Sequence, residues 1–227
     1  MPNSDSFTLP LDCHYRTRVP EGRDPDLAVL ALHGYGMSAE TMMRLVTPTL
    51  EGVPAVIASL QGPHQHYRGE GPSSGIAAYN WGIRQHHGEA VRLHREMVRH
   101  VVAAMGQRFG IPPKRCVLLG FSQPVGLNYR FVGAYPEEIG GVIGICGGVP
   151  KDWDEEPSPY RDFATPILHI ARDQDEFFPV EAVSQFARRL SRHASDVEFH
   201  LIPGAHRYPS SAGDLVRPWL KRFIPRS

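Results

Sequence analysis

Short, predominantly apolar runs separated by longer mixed segments constrain this chain more than any other feature. Six such runs occupy residues 27–32, 53–60, 116–119, 139–146, 166–170 and 197–202. A strand with one face in water alternates apolar and polar residues, whereas a strand covered on both faces need not. Leu-Ala-Val-Leu-Ala-Leu at 27–32 has no polar position, so it is expected deep inside a parallel sheet. Residues 89–109 place Val91, Val98, Val101, Val102 and Met105 at helical spacing, with Gly110 and Pro112-Pro113 as the stop. Further helices are expected from Ser122 to about Tyr135, over 180–193 and over 210–223. This alternation predicts an α/β protein with a mostly parallel central sheet and helices on both faces. Residues 7–19 alternate more loosely and fit an antiparallel edge strand. With no internal repeat and no linker, residues 1–227 are expected to form a single domain.

Charge excludes some functions. Lysine plus arginine equals aspartate plus glutamate at 24 each, so no net charge points to nucleic acid or an anionic membrane surface. No apolar run approaches the roughly 18–20 residues of a bilayer span, and the first residues lack the basic and apolar parts of a signal peptide. The expectation is a soluble, cytoplasmic protein without stable membrane insertion; nothing in the sequence sets its oligomeric state. Cys13, Cys116 and Cys146 show no metal-ligand spacing, and the last two lie in apolar runs that bury them as small hydrophobes. His64, His66, His86 and His87, even with Glu70 and Glu89, also lack a regular ligand pattern, so no metal is expected. His94 and His100 fall among the polar positions of their helix and are expected to be solvated.

The chemistry concentrates at Val117-Leu118-Leu119-Gly120-Phe121-Ser122-Gln123. A buried strand here delivers a serine at the start of a helix, and the sharp turn holds the hydroxyl clear of the backbone. Gly120 relieves crowding in that turn, but Pro124 stands where a second glycine is usual. Proline is tolerated in a first helical turn because its missing N–H would have no partner there. Gly126 is expected to restore the close packing that Pro124 removes. A serine nucleophile needs a histidine base held by an acid, and a serine on such a strand–turn–helix elbow is followed along the chain by the acid and then the histidine. Asp175 follows the run 166–170 and His206 follows the run 197–202, which supplies that order. Asp173 is a rival acid; Asp175 is preferred because Phe177 and Phe178 beside it would shield a carboxylate–imidazole bond from water. Leu32-His33-Gly34-Tyr35-Gly36 follows the first strand, where glycines on both sides let the Tyr35 N–H turn inward. That N–H and the N–H of Gln123 are the expected oxyanion donors. His33 is expected to be a hydrogen-bonding support of this loop.

Two long stretches, 61–88 and 147–165, are expected to be irregular loops whose aromatics wall a substrate pocket, with Tyr67, Tyr79 and Trp81 in the first and Trp153 and Tyr160 in the second.

These motifs resemble the phospholipase/carboxylesterase family of α/β-hydrolases, which includes acyl-protein thioesterases. Leu-His-Gly-Tyr-Gly (32–36) looks like its oxyanion loop and Gly-Phe-Ser-Gln (120–123) like its nucleophile turn. Asp-Glu-Phe-Phe-Pro (175–179) looks like its acid loop, and Gly-Ala-His (204–206) like its histidine loop. The resemblance implies the α/β-hydrolase fold, Ser122, Asp175 and His206 as triad, and Tyr35 and Gln123 as oxyanion donors. It further implies a small-molecule ester or acyl substrate and no cofactor. Pro124 and Arg172 depart from the family pattern. They leave open a binding protein that keeps the fold without the chemistry. The stretch 61–88 departs as well, and because groove length depends on how it folds, a thioesterase or lysophospholipase using the same chemistry also stays open.

Overall fold

A computed structural model of the chain describes residues 7–69 and 75–225. The central sheet has seven strands: β1 (Tyr15–Arg18), β2 (Leu27–Leu32), β3 (Ala55–Leu60), β6 (Cys116–Phe121), β7 (Gly141–Ile145), β8 (Ile167–Arg172) and β9 (Val197–Ile202). Their spatial order is β1-β3-β2-β6-β7-β8-β9. All neighbours run parallel except β1, which pairs antiparallel with β3 at one edge. The expected edge strand is therefore present but shorter than residues 7–19. Between β3 and β6, strands β4 (His64–Arg68) and β5 (Ile76–Asn80) form a separate antiparallel hairpin. The helices are α1 (Ala39–Thr49), α2 (His87–Phe109), α3 (Val125–Ala134), α4 (Val180–Val183), α5 (Phe186–Leu190) and α6 (Ala212–Leu220).

Every residue of β2 is buried because successive side chains enter different halves of the core. Leu27, Val29 and Ala31 meet Met42 and Val46 of α1 and Val216 and Trp219 of α6. Ala28, Leu30 and Leu32 belong to the opposite half, with Val98, Val101 and Met105 of α2 and Tyr129 and Val132 of α3. Water is thereby kept from both faces, which is why the run needs no alternation. Fully burying a leucine here contributes about 1.5–3 kcal/mol relative to leaving it exposed.

Several expectations require correction. The stretch 61–88 is not irregular throughout, since it carries the β4–β5 hairpin, a 3-10 turn at Arg84–His86 and the first two residues of α2; its residues 70–74, Glu70 among them, lie outside the described residues. The hairpin is hard to see in the sequence because β4 is polar and largely exposed, and the short apolar run of β5 has no apolar partner strand beside it. Trp81 and Trp153 are core residues rather than pocket wall, each almost fully buried. Trp153 packs against Tyr129, Tyr160, Phe163 and His193. His94 is also buried, at 2% exposure, with Nε2 against Oδ1 of Asn128 at 2.9 Å. Its slot on α2 faces α3, and that one hydrogen bond replaces water. His100 is exposed, in line with expectation. The helix expected over 180–193 breaks into α4 and α5, where the Ser184 hydroxyl donates to the Glu181 carbonyl at 2.8 Å and competes with helix propagation. Helix α1 is absent from the sequence expectations. Its signal is Ser38, whose hydroxyl accepts from the Thr41 N–H, followed by Met42, Val46 and Thr49 facing the core.

Candidate active site

The carboxyl ends of β2, β6, β8 and β9 open on one edge of the sheet. The four segments that leave them are residues 33–37, Ser122 with its turn, 173–179 and 203–206, the segments singled out in the sequence.

Ser122 sits at φ +63°, a left-handed conformation that non-glycine residues seldom adopt. It is held there by its N–H donating to the Ile145 carbonyl of β7 at 2.8 Å and by its carbonyl accepting from Val125 at 3.2 Å. Gly120 makes the turn possible, since a Cβ there would lie 2.7 Å from Nδ2 of Asn128 on α3. Pro124 opens α3 without loss of any bond, and its carbonyl accepts from the Asn128 N–H at 2.9 Å. Gly126 does not perform the expected compensation, because a Cβ there would meet only ordinary contacts at 3.5 and 3.6 Å. The close approach falls at Gly147 instead, whose Cβ would lie 2.3 Å from Val125 Cβ and 2.7 Å from the Ser122 carbonyl oxygen.

The hydroxyl of Ser122 lies 2.8 Å from Nε2 of His206, and Nδ1 of His206 lies 2.7 Å from Oδ2 of Asp175. Oδ1 of Asp175 accepts from the N–H groups of Phe177 and Phe178 at 2.9 and 3.0 Å. A carboxylate surrounded by donors is an acceptor on both oxygens, so it selects the tautomer with hydrogen on Nδ1. Nε2 is then free to accept the serine proton. Asp175 is buried, and the rings of Phe177, Phe121 and Phe178 surround the imidazole with centroids 4.7, 5.5 and 5.9 Å away. Phe177 and Phe178 thus flank the carboxylate–imidazole pair as their positions suggested, while Phe121 was not anticipated.

Asp173 plays a different part, its Oδ1 accepting from the Gly204 N–H at 2.8 Å. Backbone bonds from Asp173 to Ile202 and from Gln174 to Gly204 continue this tie between the acid and histidine loops. Glu176, missed in the sequence, completes it by accepting from the His206 N–H at 3.0 Å, an interaction that holds its carboxyl below the ordinary range. Arg172 fits the same junction. Its guanidinium lies where a Cβ on residue 204 would be, so Gly204, at φ +126°, is the residue that leaves room for it.

The N–H groups of Tyr35 and Gln123 donate to no partner among the described residues. The loop bearing Tyr35 is fixed by its neighbours. Gly36 donates to the Tyr79 carbonyl at 2.9 Å and Tyr79 donates to Met37 at 3.2 Å, which seats β5 against it. His33 is the support expected of it. The Gly62 N–H donates to its Nε2 at 2.8 Å, so Nδ1 carries the proton and donates to the Gly34 carbonyl at 2.8 Å. Burial lowers its pKa to about 4, which keeps it neutral.

Cys146, immediately after β7, is no rival nucleophile, since burial pushes its thiol up to about 12 and leaves it protonated. Among the described residues no group of three or more histidine, cysteine or acidic side chains is arranged to hold a metal ion. Nor is any described helix long and apolar enough to cross a membrane.

Solved structures of similar architecture include several esterases. Esterase PE8 matches with a TM-score of 0.75 at 18% identity, covering 94% of this chain and 100% of its own. Acyl-protein thioesterase 2 of Zea mays matches with a TM-score of 0.70 at 14% identity, covering 93% and 99%. The Bacillus cereus carboxylesterase matches with a TM-score of 0.68 at 13% identity, covering 93% and 95%. At such identities the likeness establishes the α/β-hydrolase fold. A comparison with curated protein sequences finds no match. The family model described as Phospholipase/Carboxylesterase matches residues 16–221, from β1 to the end of α6, and the chain belongs to that family of ester hydrolases.

Proposed function

We propose that this chain is a serine esterase that cleaves carboxylic esters of small or medium acyl groups through an acyl-Ser122 intermediate. The observation that carries this reading is the unbroken relay from Ser122 through His206 to buried Asp175, at 2.8 and 2.7 Å. In the proposed cycle the Ser122 oxygen attacks the ester carbonyl while its proton passes to Nε2 of His206. The positive charge that forms on the imidazole is balanced by Asp175. The oxyanion accepts hydrogen bonds from the N–H groups of Tyr35 and Gln123. Collapse returns the proton from His206 to the leaving alcohol. Water, deprotonated by His206 in turn, then releases the acid and frees the serine.

Turnover of p-nitrophenyl esters of increasing acyl length, wild type beside Ser122→Ala, tests the proposal. Ser122→Ala is expected to lower kcat by on the order of 10⁴-fold or more. Equal turnover by both proteins would refute the serine nucleophile, and the chain-length optimum would gauge the depth of the acyl site. Thioester cleavage uses the same steps with a thiol leaving group, so an acyl thioester beside its oxygen ester separates the two substrate classes.

A further inference from the structure

The two proposed oxyanion donors leave different strands, Tyr35 after β2 and Gln123 after β6. The sheet fixes the separation of those strands through the pairing of Leu32 with Gly120, but both donors lie beyond the last paired residues. Something else must hold them at a common distance from the reacting carbon. On the Tyr35 side, Gly36 and Met37 are bonded to Tyr79 of β5. The chain then runs through Asn80 to Trp81 and Gly82, where the side chain of Gln123 closes the circuit. Its Oε1 accepts from the Trp81 N–H at 3.0 Å and its Nε2 donates to the Gly82 carbonyl at 2.9 Å. Both partners are backbone groups of fixed polarity, so the amide orientation is dictated.

The circuit is cross-tied. The indole Nε1 of Trp81 donates to the His33 carbonyl at 2.7 Å, two residues before Tyr35. Oδ1 of Asn80 accepts from the Gly82 N–H at 3.0 Å, which turns the Asn80 amide nitrogen toward Nδ1 of His66 at 3.3 Å. The His66 ring in turn stacks on Tyr35 with centroids 5.1 Å apart and planes at 28°.

We propose that the side-chain amide of Gln123 is a positioning residue for the ester hydrolysis, clasping Trp81 and Gly82 so that the hairpin strand β5 sets the spacing of the Tyr35 and Gln123 N–H groups. The inference rests on the acyl-serine reading of the site. The backbone of Gln123 donates to the oxyanion; its side chain touches no reacting atom and acts through the other donor. Displacement of a reacting geometry by about 1 Å costs on the order of 10²-fold in rate, and removal of one donor about 10²–10³-fold. Loosening the clasp belongs at or below the first of these.

The test is Gln123→Met, which keeps the side-chain length and the backbone N–H but makes neither bond. Initial rates on p-nitrophenyl butyrate are normalised to sites counted by exhaustive fluorophosphonate labelling. Affinity for a trifluoromethyl ketone, whose serine adduct carries the oxyanion, is measured in parallel. The expected result is a kcat per site lowered about 10- to 100-fold, KM within about twofold, and ketone binding weakened in proportion to kcat/KM. A kcat per site within twofold of wild type overturns the proposal. So does a loss that appears only as fewer labelled sites or a raised KM, because misfolding or substrate contact would then explain it. Gln123→Glu carries the same test if the methionine variant does not fold, since a carboxylate keeps the bond from Trp81 and loses the one to Gly82. Absence of Ser122-dependent turnover in the wild type would instead refute the underlying acyl-serine reading.

Discussion

At the residue scale, the acid of the proposed triad offers the sharpest discrimination. Asp173 and Asp175 lie two positions apart and the sequence favours the second only through its phenylalanine neighbours. The structure separates them by their partners, since Asp175 bonds the imidazole while Asp173 bonds the backbone of Gly204. Asp175→Asn would place an amide N–H or a weaker acceptor against Nδ1 and favour the wrong imidazole tautomer. A fall in kcat of about 10⁴-fold is expected. Asp173→Asn keeps an acceptor oxygen for Gly204, so its loss should stay below about tenfold. Steady-state kinetics of the two variants decide the matter, and a larger loss for Asp173→Asn would reverse the assignment. Pro124 and Arg172, two of the departures from the family pattern, both have structural accounts. Proline opens α3 without cost, and the arginine occupies the space that Gly204 leaves.

At the element scale, the hairpin β4–β5 is the part of the fold least visible in the sequence, and its second strand is bonded to the loop that bears Tyr35. Strand β4 is largely exposed, so burial imposes no apolar pattern on it, and β5 alone is too short a run to announce a hairpin. Its anchor is Trp81, which the sequence suggests as a pocket aromatic and which lies in the core beneath His33. Trp81→Phe keeps most of the ring but leaves the His33 carbonyl without its donor. A loss of about 1–3 kcal/mol is expected from urea unfolding at neutral pH. An unchanged midpoint and slope would show that the indole bond has no role in stability. Central strands behave differently. Leu118 of β6 is fully buried, and Leu118→Ala should cost about 2–5 kcal/mol by the same measurement. A cost below about 1 kcal/mol would mean that the site collapses to fill the cavity.

For the whole molecule, acid stability follows from histidines sealed in the core. His33, His94 and His169 are almost fully buried, and burial lowers their pKa values to about 4, 4 and 3. Their folded-state values lie below the ordinary 6.5, so between the two values the unfolded chain binds more protons than the folded one. Stability contributed by these neutral histidines is complete above about pH 6.5 and is lost as pH falls toward 4 for His33 and His94 and toward 3 for His169. All three act in the same direction, so their slopes add across that window. Urea midpoints at pH 7.0, 6.0 and 5.0 should fall steeply, and less steeply for His169→Phe. Midpoints that stay level across that range would refute the account.

The sequence by itself determined the strands of the main sheet, the α/β class and the positions of Ser122, Asp175 and His206. Those features depend on local conditions: burial on both faces erases alternation, and each proposed triad residue follows an apolar run. Only the tertiary structure decided the hairpin, the burial of His94, Trp81 and Trp153, and the hydrogen-bond partners of Glu176 and the Gln123 side chain. Each of those depends on a partner distant in the chain, such as Asn128 for His94 or Gly82 for Gln123. Periodicity records which face of an element meets apolar matter. It carries no record of which backbone carbonyl, dozens of residues away, will meet a particular amide.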